Sequence, residues 1–98
     1  MTGQASNNGR IFYAGYFIQL IAASGNSYGY DIFLRSKLVV HQSVNPFTLA
    51  PTGLRSKEDA LKIAEWQIQQ IRQMNGRFVV KNQLIPKDIA RKLDIAIN

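Results

Sequence analysis

Cysteine is absent from these 98 residues, which removes disulfides, thiolate metal sites and cysteine nucleophiles together. Histidine occurs once, so imidazole acid–base chemistry would have to use His41. Charge is not gathered into a tail either: the basic residues run from Arg10 to Lys92 without a block of one sign. No stretch approaches the ~20 consecutive apolar residues that a membrane-spanning helix needs. The longest apolar run, Ile11 to Ala23, is interrupted by Gly15 and Gln19 and reads as a strand. The first ten residues lack a basic start followed by an apolar core. The expected setting is therefore cytoplasmic, or exported if a leader has been removed.

What is present defines one small domain. Hydrophobic residues make up 46% of the chain, enough for a real core. Twelve Lys and Arg against six Asp and Glu give a net charge of +6, which permits an anionic partner. Residues 1–10, polar and without periodicity, are expected to be disordered, and 11–98 to form a single domain.

Tyr16 to Ala23 is rich in β-formers and ends at Ser24-Gly25-Asn26-Ser27, a turn signal. Tyr28 to Leu34 and Leu38 to Gln42 follow, close enough to pair as an antiparallel hairpin around Arg35-Ser36-Lys37. A turn at Arg35-Ser36 sets Ile32 opposite Val39, and one at Ser36-Lys37 sets it opposite His41. Either register puts Tyr30, Ile32, Leu34, Val39 and His41 on one face, and Asp31, Phe33, Val40 and Gln42 on the other.

Ser43 to Arg55, with Pro46, Pro51 and Gly53, reads as an irregular connection. Ser56 then caps a helix over 57–74. Asp59 stands three residues on, Leu61, Ala64, Ile68 and Ile71 form the stripe, and Asn75-Gly76 marks the end. Phe78 to Val80 suits a short fourth strand, and Pro86 opens a second helix over Lys87 to Leu93 with Ile89 and Leu93 on one side. The expected fold is α+β: a three- or four-stranded antiparallel sheet against one long helix, with a short C-terminal helix. Tyr30, Ile32, Leu34, Val39, Leu61, Ala64, Ile68 and Ile71 are the expected core.

The succession Gly29-Tyr30-Asp31-Ile32, Lys37-Leu38 with His41-Gln42, Ser56-Lys57-Glu58-Asp59-Ala60 with Ile63-Ala64, and Leu84-Ile85-Pro86 resembles an uncharacterised family. It is a domain of unknown function found in short, often exported bacterial proteins, and the similarity covers roughly Tyr16 to Ile95. The chain departs from it at Arg35-Ser36, where members have a turn richer in Asp-Gly, and in the connection after His41-Gln42. The resemblance implies an α+β fold and a periplasmic or surface setting. It carries no activity, cofactor or catalytic residue.

Catalysis finds little to work with. Asp31 and Ser43 are the candidate partners of His41, but both hairpin registers set Asp31 and His41 on opposite faces. Ser43, two residues along the strand, stands ~7 Å from the imidazole. His41 is instead expected at the edge of the core, bonded to a carbonyl of the 46–53 connection. Glu58 and Asp59 are explained by capping; Glu65, Asp88 and Asp94 are scattered; and Gly25 and Gly29 flank a hairpin turn rather than a phosphate loop. No catalytic residue, metal ligand or cofactor is assigned.

Two binding readings remain. Aromatics on a basic sheet can stack on bases, but Tyr30 and Phe33, the candidates beside Tyr28, Arg35 and Lys37, are expected on opposite faces. The favoured reading is a protein-binding or structural module that self-associates through a sheet face. One helix covers one face, which leaves Phe17, Ile21, Phe33 and Val40 to be covered by Ile11–Tyr13, by Asp94–Ile97 or by another subunit. Tyr28, Phe33, Arg35, Val40 and Trp66 are the candidate partner contacts, and a basic nucleic-acid-binding module is the alternative.

Overall fold

The structure, a computed structural model, describes residues 10–74 and 80–95. Expectations for residues 1–9, for the Asn75-Gly76 cap, for Phe78 and Val79, and for 96–98 lie outside the described residues. Five strands form one sheet: β1 (Arg10–Tyr13), β2 (Tyr16–Ala23), β3 (Ser27–Leu34), β4 (Lys37–Gln42) and β5 (Val80–Lys81). They lie in chain order, β1 to β4 antiparallel and β5 parallel to β4. Helix α1 (Lys57–Gln73) precedes β5, and α2 (Lys87–Leu93) follows it. This is the α+β architecture expected from the sequence, with β1 added at one edge and with the short strand after α1, expected to include Val80, pairing parallel rather than antiparallel.

The run Ile11 to Ala23 is two strands rather than one. Ala14 and Gly15 both have positive φ, 50° and 91°, so a two-residue primed turn folds β1 back on β2 with Tyr13 opposite Tyr16. Ile11–Tyr13 therefore widens the sheet instead of covering a face of it.

Arg35 and Ser36, at φ 52° and 72°, make the same kind of turn between β3 and β4. Leu34 faces Lys37 and Phe33 faces Leu38, but Ile32 then faces Val40, not Val39. Val39 is the extra residue of a β-bulge, and it inverts the alternation of everything beyond it. Neither of the two regular registers expected for this hairpin is the one adopted. Val39 and Val40 are both buried, Gln42 joins Tyr30 on the inner face, and His41 moves to the outer face opposite Asp31.

Helix α1 starts at Ser56, whose hydroxyl accepts the Asp59 N–H at 3.1 Å, with Glu58 and Asp59 at the positive end of the helix. Its buried stripe is Ala60, Ile63, Ala64, Gln67, Ile68 and Ile71, the three-and-four spacing of one helical face. This face lies across β2 and β3 and meets Ile18, Tyr30, Ile32, Val39 and Val40 in the core. Leu34 and Leu61 pack at its margin. Phe47 and Leu54 from the connection, with Ile85, Ala90 and Ile95, close the ends of the core. Asp94 and Ile95 stay on the helix side: Lys62 Nζ donates to the Asp94 carbonyl at 3.1 Å.

A polar chain runs through this interior. The fully buried Tyr30 hydroxyl donates to Gln67 Oε1, and Gln67 Nε2 donates to Gln83 Oε1 at 2.7 Å. The Gln83 N–H donates to Gln42 Oε1 at 2.8 Å, and Gln42 Nε2 returns to the Gln83 carbonyl at 3.1 Å. Burial pushes the Tyr30 phenol well above its ordinary range. Gly29 is required where β3 passes the end of β4, since a Cβ there would stand 2.2 Å from the Gln42 carbonyl oxygen.

Candidate functional site

Helices α1 and α2 and the 43–56 connection leave one face of the sheet without a covering layer among the described residues. The pleat sends Arg10, Phe12, Phe17, Gln19, Ile21, Asp31, Phe33, Leu38 and His41 to that face. Register sorts most of them into two rows across the strands. Phe12, Phe17, Phe33 and Leu38 are successive cross-strand partners, and so are Arg10, Gln19, Asp31 and His41. Lys81 of β5 extends the second row beside His41. An apolar row thus lies next to a polar one.

The apolar row is open to solvent at one end. Phe12 is 61% exposed and Phe17 38%, and their rings meet edge to face with centroids 5.2 Å apart. Phe33 is half-buried because the Arg10 guanidinium lies over its ring, 4.4 Å from the centroid. The polar row is internally bonded. Arg10 Nε donates to Gln19 Oε1 at 3.3 Å, and His41 Nδ1 donates to Asp31 Oδ1 at 2.5 Å. The imidazole is thereby fixed in orientation with Nε2 as its remaining nitrogen.

The contact between Asp31 and His41 corrects the expectation that no such bond could form, and the partner of His41 is this carboxylate rather than a loop carbonyl. The bulge is the physical reason: one additional residue in β4 carries His41 across to the face of Asp31. A carboxylate-oriented imidazole is two thirds of a nucleophilic triad. The nearest hydroxyl along the strand, that of Ser43, is bonded instead to Asn82 Oδ1 at 3.3 Å.

The five partner-contact candidates do not form one site. Phe33 is on the open face, and Arg35 is exposed in the β3–β4 turn. Val40, expected beside Phe33, is completely buried in the core, again because of the bulge. Tyr28 is half-buried, with Lys57 Nζ 5.8 Å from its ring centroid. Trp66 is half-buried against the core and lines a shallow groove with Tyr13, Lys62, Gln69 and Leu93, away from the open face. The residues that sequence reasoning missed are Arg10, Phe12, Gln19 and Leu38. Their signal lies in the alternation of β1 once Ala14-Gly15 is read as a turn. No family model, curated protein or solved structure matches this chain.

Proposed function

We propose that the protein is a non-catalytic binding module that engages its partner through the open face of the sheet. The observation that carries this reading is the row of Phe12, Phe17, Phe33 and Leu38, whose Phe12 and Phe17 rings stand in solvent although the core lies one residue away on every strand. Exposed aromatics contiguous across three strands contribute little to folding and much to recognition. Of the three covers considered for this face, Ile11–Tyr13 is a strand within the sheet and Asp94 and Ile95 pack on the opposite side. Among the described residues no part of the chain covers this face, which supports another molecule as its occupant. The Asp31–His41 pair fits a binding role as well: it engages the carboxylate of β3 in a hydrogen bond while leaving a polar edge to meet a ligand.

Amide chemical-shift mapping tests this against the two occupants considered, nucleic acid and a second copy of the chain. The ¹⁵N-labelled protein is titrated with single-stranded and duplex oligonucleotides, and separately concentrated to report self-association. The expected shifts fall on Arg10, Phe12, Phe17, Gln19, Asp31, Phe33, Leu38 and His41. Shifts confined to α1 and α2 would sink the reading.

A further inference from the structure

We infer that the occupant of the open face is an unpaired polynucleotide, with bases on the phenylalanine row and phosphates beside Arg10 and Lys81. This rests on the reading of that face as the binding surface.

Three observations select this partner. The first is area. The exposed fractions of Phe12 and Phe17, 61% and 38%, add up to about one aromatic side chain, or ~150–250 Å². A stable protein interface buries ~800 Å² on each side, several times the area that these two rings expose. That area is of the right size for flat rings, and base–aromatic stacking needs no more than a ring face.

The second is the chemistry beside the rings. Gln19 offers both an amide donor and an acceptor, Asp31 and His41 add a carboxylate oxygen and an imidazole nitrogen, and the Arg10 guanidinium is itself a plane on which a base can lie. A base stacked on Phe17 has hydrogen-bonding groups of both senses one row away. Those groups reach the edges of a splayed base and not those of a paired one.

The third is where the charges fall. Five of the six carboxylates belong to the helices and their caps: Glu58, Asp59, Glu65, Asp88 and Asp94. The sixth, Asp31, is bonded to His41. The sheet and its turns carry Arg10, Arg35, Lys37 and Lys81. Arg10 on β1 and Lys81 on β5 stand at opposite edges of the polar row, four strand spacings or ~19 Å apart. The Arg10 side chain folds inward over Phe33, so a chain crossing the strands meets a guanidinium among the rings and the Lys81 cation at the far edge. The stretch engaged is about two or three bases, as on other sheet platforms.

Fluorescence anisotropy with labelled single strands of DNA and RNA about twelve nucleotides long, and with the matching duplexes, tests the inference. Single strands are expected to bind more tightly than duplexes at low salt. Their log affinity should fall against log salt with a slope of about −1.5 to −3, from two to four phosphate contacts. The variant Phe12→Ala/Phe17→Ala keeps the charge and alters only solvent-facing rings. It is expected to lose about tenfold or more in affinity while melting within a few degrees of the parent. Arg10→Gln should flatten the salt slope. Equal binding of single strands and duplexes, with the aromatic variant binding as well as the parent, would overturn the proposal in favour of charge alone. Failure of every oligonucleotide at low salt would also overturn it. Sedimentation separates these failures from failure of the face itself: a concentration-dependent dimer dissolved by Phe12→Ala/Phe17→Ala overturns the polynucleotide and keeps the face.

Discussion

The two faces of the sheet treat polar groups in opposite ways. On the covered face Tyr30, Gln42 and Gln67 are buried, and each hydrogen-bonds within the chain that runs to Gln83, so β3, β4, α1 and the segment after β5 are tied together. No buried side-chain nitrogen or oxygen among the described residues lacks a partner. On the open face the polar groups bond sideways along one row, and the rings beside them stay wet. A buried polar group without a partner costs about 1–3 kcal/mol, whereas an exposed one can turn to water. The covered face is therefore constrained by folding, and the open face is free to be shaped by a ligand.

The sharpest way to break this comparison is to delete the same kind of apolar mass on each side. Ile32→Ala, at a fully buried position, is expected to cost about 2–5 kcal/mol in denaturant unfolding. Comparable stability of parent and variant would mean that the inner face is not the core.

Tyr30→Phe probes the polar chain. Loss of the hydroxyl strands Gln67 Oε1 and should cost about 1–3 kcal/mol at neutral pH. The same phenol sets an alkaline limit. Its folded-state pKa is raised by burial, so above about pH 10 the unfolded chain releases a proton that the folded chain retains. Stability then falls as pH rises, by up to ~1.4 kcal/mol per unit from this group. Stability curves of the parent and Tyr30→Phe should therefore converge above pH 10 and run parallel below it.

The smallest effect belongs to the open face. Phe12→Ala should change stability by about 0.5 kcal/mol or less, read from the same denaturant midpoints. A loss of 2 kcal/mol or more would make Phe12 part of the core and erase the contrast between the faces.

Helix α1 is legible in the sequence because its signals are local: a Ser56 cap, acidic residues in the first turn and a periodic stripe. Strands β2 to β4 and the turns between them are legible for the same reason. The site is not, because it depends on register over distance. Nothing in Leu38-Val39-Val40-His41 marks Val39 as a bulge, since that type of bulge demands no glycine. The one available hint is chemical: Asp31 and His41 are a favourable cross-strand pair if they face each other. Likewise Gln67 reads as an ordinary polar helix position, and its partners Tyr30 and Gln83 are 37 and 16 residues away. Gly15 reads as an interruption within one strand, whereas in the fold it is the corner of a hairpin.

The bulge at Val39 also has a genetic meaning. Between the turn and the bulge, β4 counts residues in one phase, and beyond it in the other. An in-frame deletion of the Val39 codon would straighten the strand yet leave Ile32 opposite Val40 and Asp31 opposite His41. An added codon between Val40 and His41 would send the histidine inward and Gln42 out to solvent, undoing a surface row and a buried amide pair in one event. Substitutions along this strand can accumulate one at a time, whereas a length change anywhere but at the bulge is read as a change of side.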